Sequence, residues 1–141
     1  MSVSWRVRAA QTGNLPAILE LLSQVDGDRE RPKAGQFVVA EDGAGAIIGS
    51  ARLKPYPGFV ELASVAIAEG WRGQGVGREM VALLLENFQG QVYLMCEDNR
   101  VAFFGQFGFQ PLPEAQMPRE LGAKWRHYLG LVTSLNLMRR E

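Results

Sequence analysis

Apolar and charged residues alternate over Trp5-Arg6-Val7-Arg8-Ala9, the period of two that a half-exposed strand shows. Thr12, Gly13 and Asn14 break the alternation, and the period then lengthens. Leu15, Ile18, Leu22 and Val25 recur at helical spacing, with Leu19 and Leu21 widening that face. Asn14 is placed to cap this helix, and Pro16 falls in its first turn, where proline is tolerated. The polar run from Asp26 to Pro32 reads as a loop or a short second helix. Gln36 to Glu41 has strand character again, Asp42-Gly43-Ala44-Gly45 makes a hairpin turn, and Ala46 to Leu53 returns. After the turn from Lys54 to Gly58, Phe59 to Ala68 reads as the central strand.

A second helix is expected from Gln74 to about Phe88, since Val76, Met80, Leu84 and Phe88 form one stripe that Val81 and Leu85 widen. Gly90 is placed to end it. Val92 to Cys96 is nearly all apolar, as suits a strand covered on both faces. Asp98 or Asn99 is placed to cap a short helix from Arg100 to Phe107, and Gly108-Phe109-Gln110-Pro111 starts another strand. Leu121 to Val132 has the pattern of a helix, with Leu121, Trp125, Tyr128, Leu129 and Val132 roughly on one face. That face must be buried, beside a substrate cleft or against a second copy in a homodimer. Leu135 to Arg139 alternates as a closing strand. The order predicts one α/β domain over residues 1–141: a mixed, mostly antiparallel central sheet with helices on both faces.

Composition narrows the function classes. Fifteen basic and fifteen acidic residues cancel, so no overall field favours nucleic acid or an acidic membrane. The single Cys96 excludes an internal disulfide and gives no metal-ligand spacing, so no metal is expected. No run approaches a membrane span, and Met1-Ser2-Val3-Ser4-Trp5-Arg6 lacks an apolar signal region; the expectation is a cytoplasmic protein.

The residues that carry chemistry cluster after the central strand. Arg72-Gly73-Gln74-Gly75-Val76-Gly77 opens the second helix, and its alternate glycines strip side chains from the first turn. The unpaired N–H groups there, the helix dipole and the charge of Arg72 make a nest for a phosphate or pyrophosphate. A Walker loop would need Gly-Lys-Ser/Thr where the chain has Gly77-Arg78-Glu79. A dinucleotide fingerprint would need glycine at Arg78 or Met80. What remains, Arg-x-x-Gly-x-Gly after an apolar strand, resembles the acyl-CoA pyrophosphate loop of the GNAT superfamily of N-acetyltransferases. Asn99-Arg100-Val101-Ala102-Phe103-Phe104-Gly105-Gln106-Phe107-Gly108-Phe109 is similar to that family's second signature, an asparagine opening a short helix followed by Phe-Tyr-x-x-x-Gly-Phe. The resemblance covers roughly residues 5–112.

It implies the GNAT fold and acetyl-CoA as cosubstrate, with transfer of the acetyl group directly to the primary amine of a small molecule or peptide. It places the pyrophosphate on Arg72, Gly73, Gln74, Gly75, Val76, Gly77 and Arg78, and the pantetheine arm and thioester on backbone groups of Val65, Ala66 and Ile67. Asn99 is either a helix cap or a CoA contact. Phe104 stands where the family commonly has a tyrosine acid near the CoA sulfur, and keeps its packing without its proton. A catalytically silent CoA-binding or interaction module on the same fold is therefore the alternative.

Glu61, eleven residues before Arg72, sits at an offset similar to that of the general base in histone acetyltransferases of this superfamily. Alternation puts Glu61, Ala63, Val65 and Ile67 on one face of the strand; the competing reading is an exposed residue near the strand's start. Glu97 and Asp98 are weaker rivals. Tyr56, Tyr93 and Tyr128 are candidate replacements for the missing acid. Cys96 reads as a core side chain, and His127 as surface or interface.

Overall fold

The computed structural model describes residues 4–141, so Met1, Ser2 and Val3, part of the stretch expected to lack a signal region, lie outside the described residues. Among the described residues seven strands form one sheet in the order β1-β2-β3-β4-β5-β7-β6. They are β1 (Trp5–Ala9), β2 (Phe37–Asp42), β3 (Ile47–Tyr56), β4 (Phe59–Ile67), β5 (Val92–Cys96), β6 (Gln110–Leu112) and β7 (Asn136–Arg140). The helices are α1 (Leu15–Ser23), α2 (Val76–Leu85), α3 (Val101–Gly105) and α4 (Gly122–Leu129). β4 and β5 pair in parallel, whereas β1 with β2, β2 with β3, β5 with β7 and β6 with β7 pair antiparallel. The sheet is thus mixed and mostly antiparallel. Among the described residues no helix is long and apolar enough to cross a membrane.

The chain packs as two compact units, one running to Lys54 and then over Leu62–Phe88, the other comprising Pro55–Glu61 and Gln89–Glu141. In the first, the pleat of β2 sends alternate side chains to opposite faces. Phe37 and Val39 pack on Ile18, Leu21 and Leu22 of α1, while Val38 and Ala40 pack on Val76 and Met80 of α2. Gly49 lets β3 approach α2 closely: a Cβ there would lie 2.9 Å from the Met80 Cε and 3.3 Å from the Val76 Cγ1, so the Met80 side chain would have to shift. In the second unit Leu121 and Trp125 bury one side of α4 against Tyr93 and Leu137.

Several boundaries differ from the sequence pattern for local reasons. Asn14 occupies the N-cap position of α1 but makes no cap bond; its Oδ1 accepts from the Gln11 N–H and from Arg8 instead. α2 begins at Val76 rather than Gln74, because Gly75 is left-handed. α4 stops at Leu129, before Gly130, so the expected apolar face is cut short and Leu129 is 47% exposed. β4 carries one irregularity with larger consequences: Ser64 has φ +57°. A left-handed residue interrupts the extended backbone, so the alternation counted from Glu61 does not carry through to Val65 and Ile67.

Candidate active site

β4 ends at Ile67, and a 3-10 turn over Glu69–Trp71 leads into the glycine loop. Gly73 and Gly75 have φ of +80° and +89°, and a Cβ on either would meet nothing within 4 Å. Conformation rather than crowding demands glycine there, and the space over the loop is open to a ligand. The Glu79 N–H donates to the Gly75 carbonyl at 3.1 Å, which begins the helical ladder. The N–H groups of Val76, Gly77 and Arg78 come before that ladder, as helix geometry requires. Val76 and Gly77 are buried, while Arg72, Gln74 and Arg78 are exposed. The Arg72 Nε donates to the Ile67 carbonyl at 3.2 Å, tying the loop to the end of β4. Ala66 is buried among α1 residues, while Val65 and Ile67 are half-buried against the α2 cluster. These residues suit a pyrophosphate: a left-handed glycine backbone, orphan N–H groups and cationic side chains around them.

In the second unit Glu61 is only 2% exposed, which overturns the reading of an exposed residue at the strand's start. Its carboxylate is bracketed. The Lys124 Nζ of α4 donates to Oε2 at 2.7 Å, and the Tyr56 hydroxyl of β3 donates to Oε1 at 2.9 Å. Tyr56 is held by stacking on Phe59, with ring centroids 4.9 Å apart, and Phe59 meets the edge of Tyr93. Tyr56 is therefore engaged by Glu61, and Tyr93 lies buried beneath the Arg139 guanidinium.

The second signature forms a separate cluster in the same unit. Phe104 is buried, edge-on to Phe103 and Phe109 at 5.0 and 6.2 Å. Asn99 does not cap α3: it lies within the 3-10 turn Asp98–Arg100, it is exposed, and Arg100 holds the N-cap position. Asp98 Oδ1 instead accepts one hydrogen bond from the Asn136 amide, and the Asp98 N–H donates to the Ser134 hydroxyl. Burial pushes the Cys96 thiol up to about 11, so the core reading of this residue stands on its surroundings as well as on sequence. His127 is exposed, edge-on to Tyr128.

Two residues here were not singled out by pattern. Lys124 follows Leu121 by three positions and so shares the buried face of α4; that spacing was the available signal, though the charge argued for surface. Arg52 lies in the apolar strand β3 and is fully buried, at 0% exposure. Its alternation with Ser50 marked its face, while its partner Asp28 lies 24 residues earlier.

The model of the acetyltransferase (GNAT) family matches residues 6–109. Among curated proteins none matches the chain. Solved structures share its fold at low identity. Rv2747 from Mycobacterium tuberculosis, in complex with CoA and NLQ, has TM-score 0.72 and 22% identity over 96% of this chain and 98% of its own. ElaA from Escherichia coli has TM-score 0.72 and 19% identity over 99% of this chain and 100% of its own. N-acetylglutamate synthase from Neisseria gonorrhoeae, complexed with coenzyme A and N-acetyl-glutamate, has TM-score 0.72 and 19% identity. The match covers 99% of this chain but only 35% of that enzyme, so the chain spans about a third of its length.

Proposed function

The chain belongs to the acetyltransferase (GNAT) family, and from that premise we propose that it transfers the acetyl group of acetyl-CoA directly to a primary amine, with Glu61 as general base. Acetyl-CoA supplies an activated acyl group; the protein must bind it, orient it and manage protons. The Arg72–Arg78 segment would hold the pyrophosphate on its backbone N–H groups, and Val65, Ala66 and Ile67 would take the arm and thioester. A backbone N–H among those three would donate to the oxyanion as the carbonyl is attacked. An alkyl amine is mostly protonated at neutral pH, so a base must take a proton before attack.

The observation that carries the role of Glu61 is the ammonium already seated on it. Lys124 Nζ lies 2.7 Å from Oε2, so this buried carboxylate accommodates an alkylammonium group. An acceptor amine would be received at the same carboxylate, with the Tyr56 hydroxyl fixing the other oxygen. Phe104 supplies no proton to the departing thiolate, and water is the proposed donor. Asn99, exposed next to α3, is retained as a CoA contact.

The acceptor class is open to a direct screen. The Neisseria structure holds N-acetyl-glutamate, an acetylated α-amino acid, so amino acids head the panel, followed by polyamines and peptides. In this proposal the protein works in the cytoplasm, without nucleic acid or membrane; pairing of two copies would use the exposed Leu129 and Leu131 beyond the buried face of α4. Calorimetry with CoA, acetyl-CoA and ATP, followed by free-thiol release across the amine panel, tests the whole reading. Tight CoA binding and thiol release with at least one amine are expected, and CoA binding without release would leave a silent CoA module. Gly75→Asp should abolish CoA binding while circular dichroism stays native, since it adds bulk and negative charge to the nest. Unchanged CoA affinity in that variant would remove the pyrophosphate assignment.

A further inference from the structure

Arg52 is held on every side. Its Nη2 pairs with the Asp28 carboxylate at 3.2 Å, its Nη1 donates to the Glu30 carbonyl at 3.1 Å, and the guanidinium lies 5.1 Å over the Phe37 ring. The remaining donor, Nε, reaches the Ser64 hydroxyl at 3.1 Å. Ser64 is the left-handed residue of β4, and it is tethered three ways. Its Oγ accepts from Arg52 and donates to the Asp28 carbonyl at 2.7 Å, and its own carbonyl accepts from the Ser50 hydroxyl at 2.9 Å. Glycine would reach the same φ without strain, but it would keep only the Ser50 bond to its carbonyl and lose both bonds of the side chain. Serine supplies the tethers, and Arg52 anchors them to the loop around Asp28.

The residues that follow Ser64 are Val65, Ala66 and Ile67. We propose that Arg52 and Ser64 are positioning residues for acyl transfer: they set the left-handed turn of β4 and so aim the backbone groups of Val65 and Ala66 at the thioester arm. This rests on the acyl-CoA reading above. The geometry separates two parts of one ligand. The pyrophosphate nest is built by glycines and the start of α2, whereas the arm depends on the backbone directly after Ser64. Loosening Ser64 should therefore weaken binding of the arm and spare the nucleotide end.

The test compares acetyl-CoA with 3′-phospho-ADP, which carries the pyrophosphate and lacks the pantetheine arm, by calorimetry on the full chain. Ser64→Gly tolerates the backbone conformation and removes only the two Oγ tethers, to Arg52 and to the Asp28 carbonyl. It is expected to bind acetyl-CoA about tenfold more weakly, the worth of one well-aligned hydrogen bond, with unchanged affinity for 3′-phospho-ADP. Arg52→Lys keeps a charge for Asp28 and loses the Nε contact, so it should show the same split. If Arg52→Lys fails to fold, Ser64→Gly still decides. Equal weakening of both ligands, or no change in either, would overturn the proposal and leave Arg52 as a structural anchor only. A wild-type protein that binds neither ligand would remove the acyl-CoA reading itself, a failure visible before any variant is made.

Discussion

Arg52 on β3 and Glu61 on β4 are both charged side chains taken out of water, and they are satisfied by different kinds of partner. Around Arg52 stand a carboxylate, a serine hydroxyl and backbone carbonyls of the loop after α1. Backbone partners move only when the chain moves, so this cluster fixes a loop and a strand irregularity in one arrangement. Around Glu61 stand the tip of a lysine and a phenol. Both are side-chain groups, and the lysine sits on a four-carbon stem that reorients by rotamer changes alone. A buried charge with backbone partners is an anchor; one with side-chain partners is a site whose occupant can be exchanged.

Variants can break or sharpen that contrast. The largest effect is expected on chemistry. Glu61→Gln keeps size and most hydrogen bonding, and turnover should fall roughly a hundredfold to ten-thousandfold, with acetyl-CoA affinity nearly unchanged. Full activity across the pH range in steady-state assays would remove Glu61 from the mechanism. Next comes Arg52→Met, which leaves Asp28 with the Lys54 ammonium but takes the donor from several buried acceptors, the Ser64 hydroxyl and the Glu30 carbonyl among them, so about 3–5 kcal/mol is expected in urea unfolding. Lys124→Met leaves Glu61 with its Tyr56 bond and an end of the cluster that relaxes by side-chain motion, so about 1–3 kcal/mol is expected. A cost for Lys124→Met as large as that for Arg52→Met would make Glu61 an anchor too, and weaken its case as a base. The smallest effect concerns Cys96. With its pKa raised to about 11 by burial, it stays a neutral thiol at pH 8 and should alkylate far more slowly in the native than in the unfolded protein. Because the folded pKa lies above the ordinary value of 9.0, the unfolded chain loses its proton first. Any contribution to stability therefore falls as pH rises from about 9 to 11. Equally fast native labelling with iodoacetamide would contradict the burial.

Much of the fold was legible in the chain because it is local. The hairpins around Gly43 and Gly58, the α2 stripe and the glycine loop are short-range patterns, and each appears within a few residues of its expected place. What pattern could not supply is long-range. Lys124 reaches Glu61 across 63 positions, and Arg52 reaches Asp28 across 24. Lysine and arginine are also residues that composition argues should face water. Ser64 escaped for another reason: glycine, asparagine and aspartate announce a left-handed residue and serine does not, and here hydrogen-bond tethers rather than residue type hold the angle. The closing strand was visible as a strand, but nothing local told that it enters between β5 and β6.

That insertion governs the order in which the second unit can be assembled. Gln110, Pro111 and Leu112 pair with Arg139, Met138 and Leu137, and β7 is their one strand neighbour among the described residues. On the ribosome, residues 110–112 emerge before their partner does, and β5 emerges with one hydrogen-bonding edge bare. Until β7 arrives that edge is a template for any passing extended chain, including a neighbouring nascent copy. Chaperone occupancy during translation should therefore peak between the emergence of Cys96 and that of Arg140, and drop once the late strand slots in.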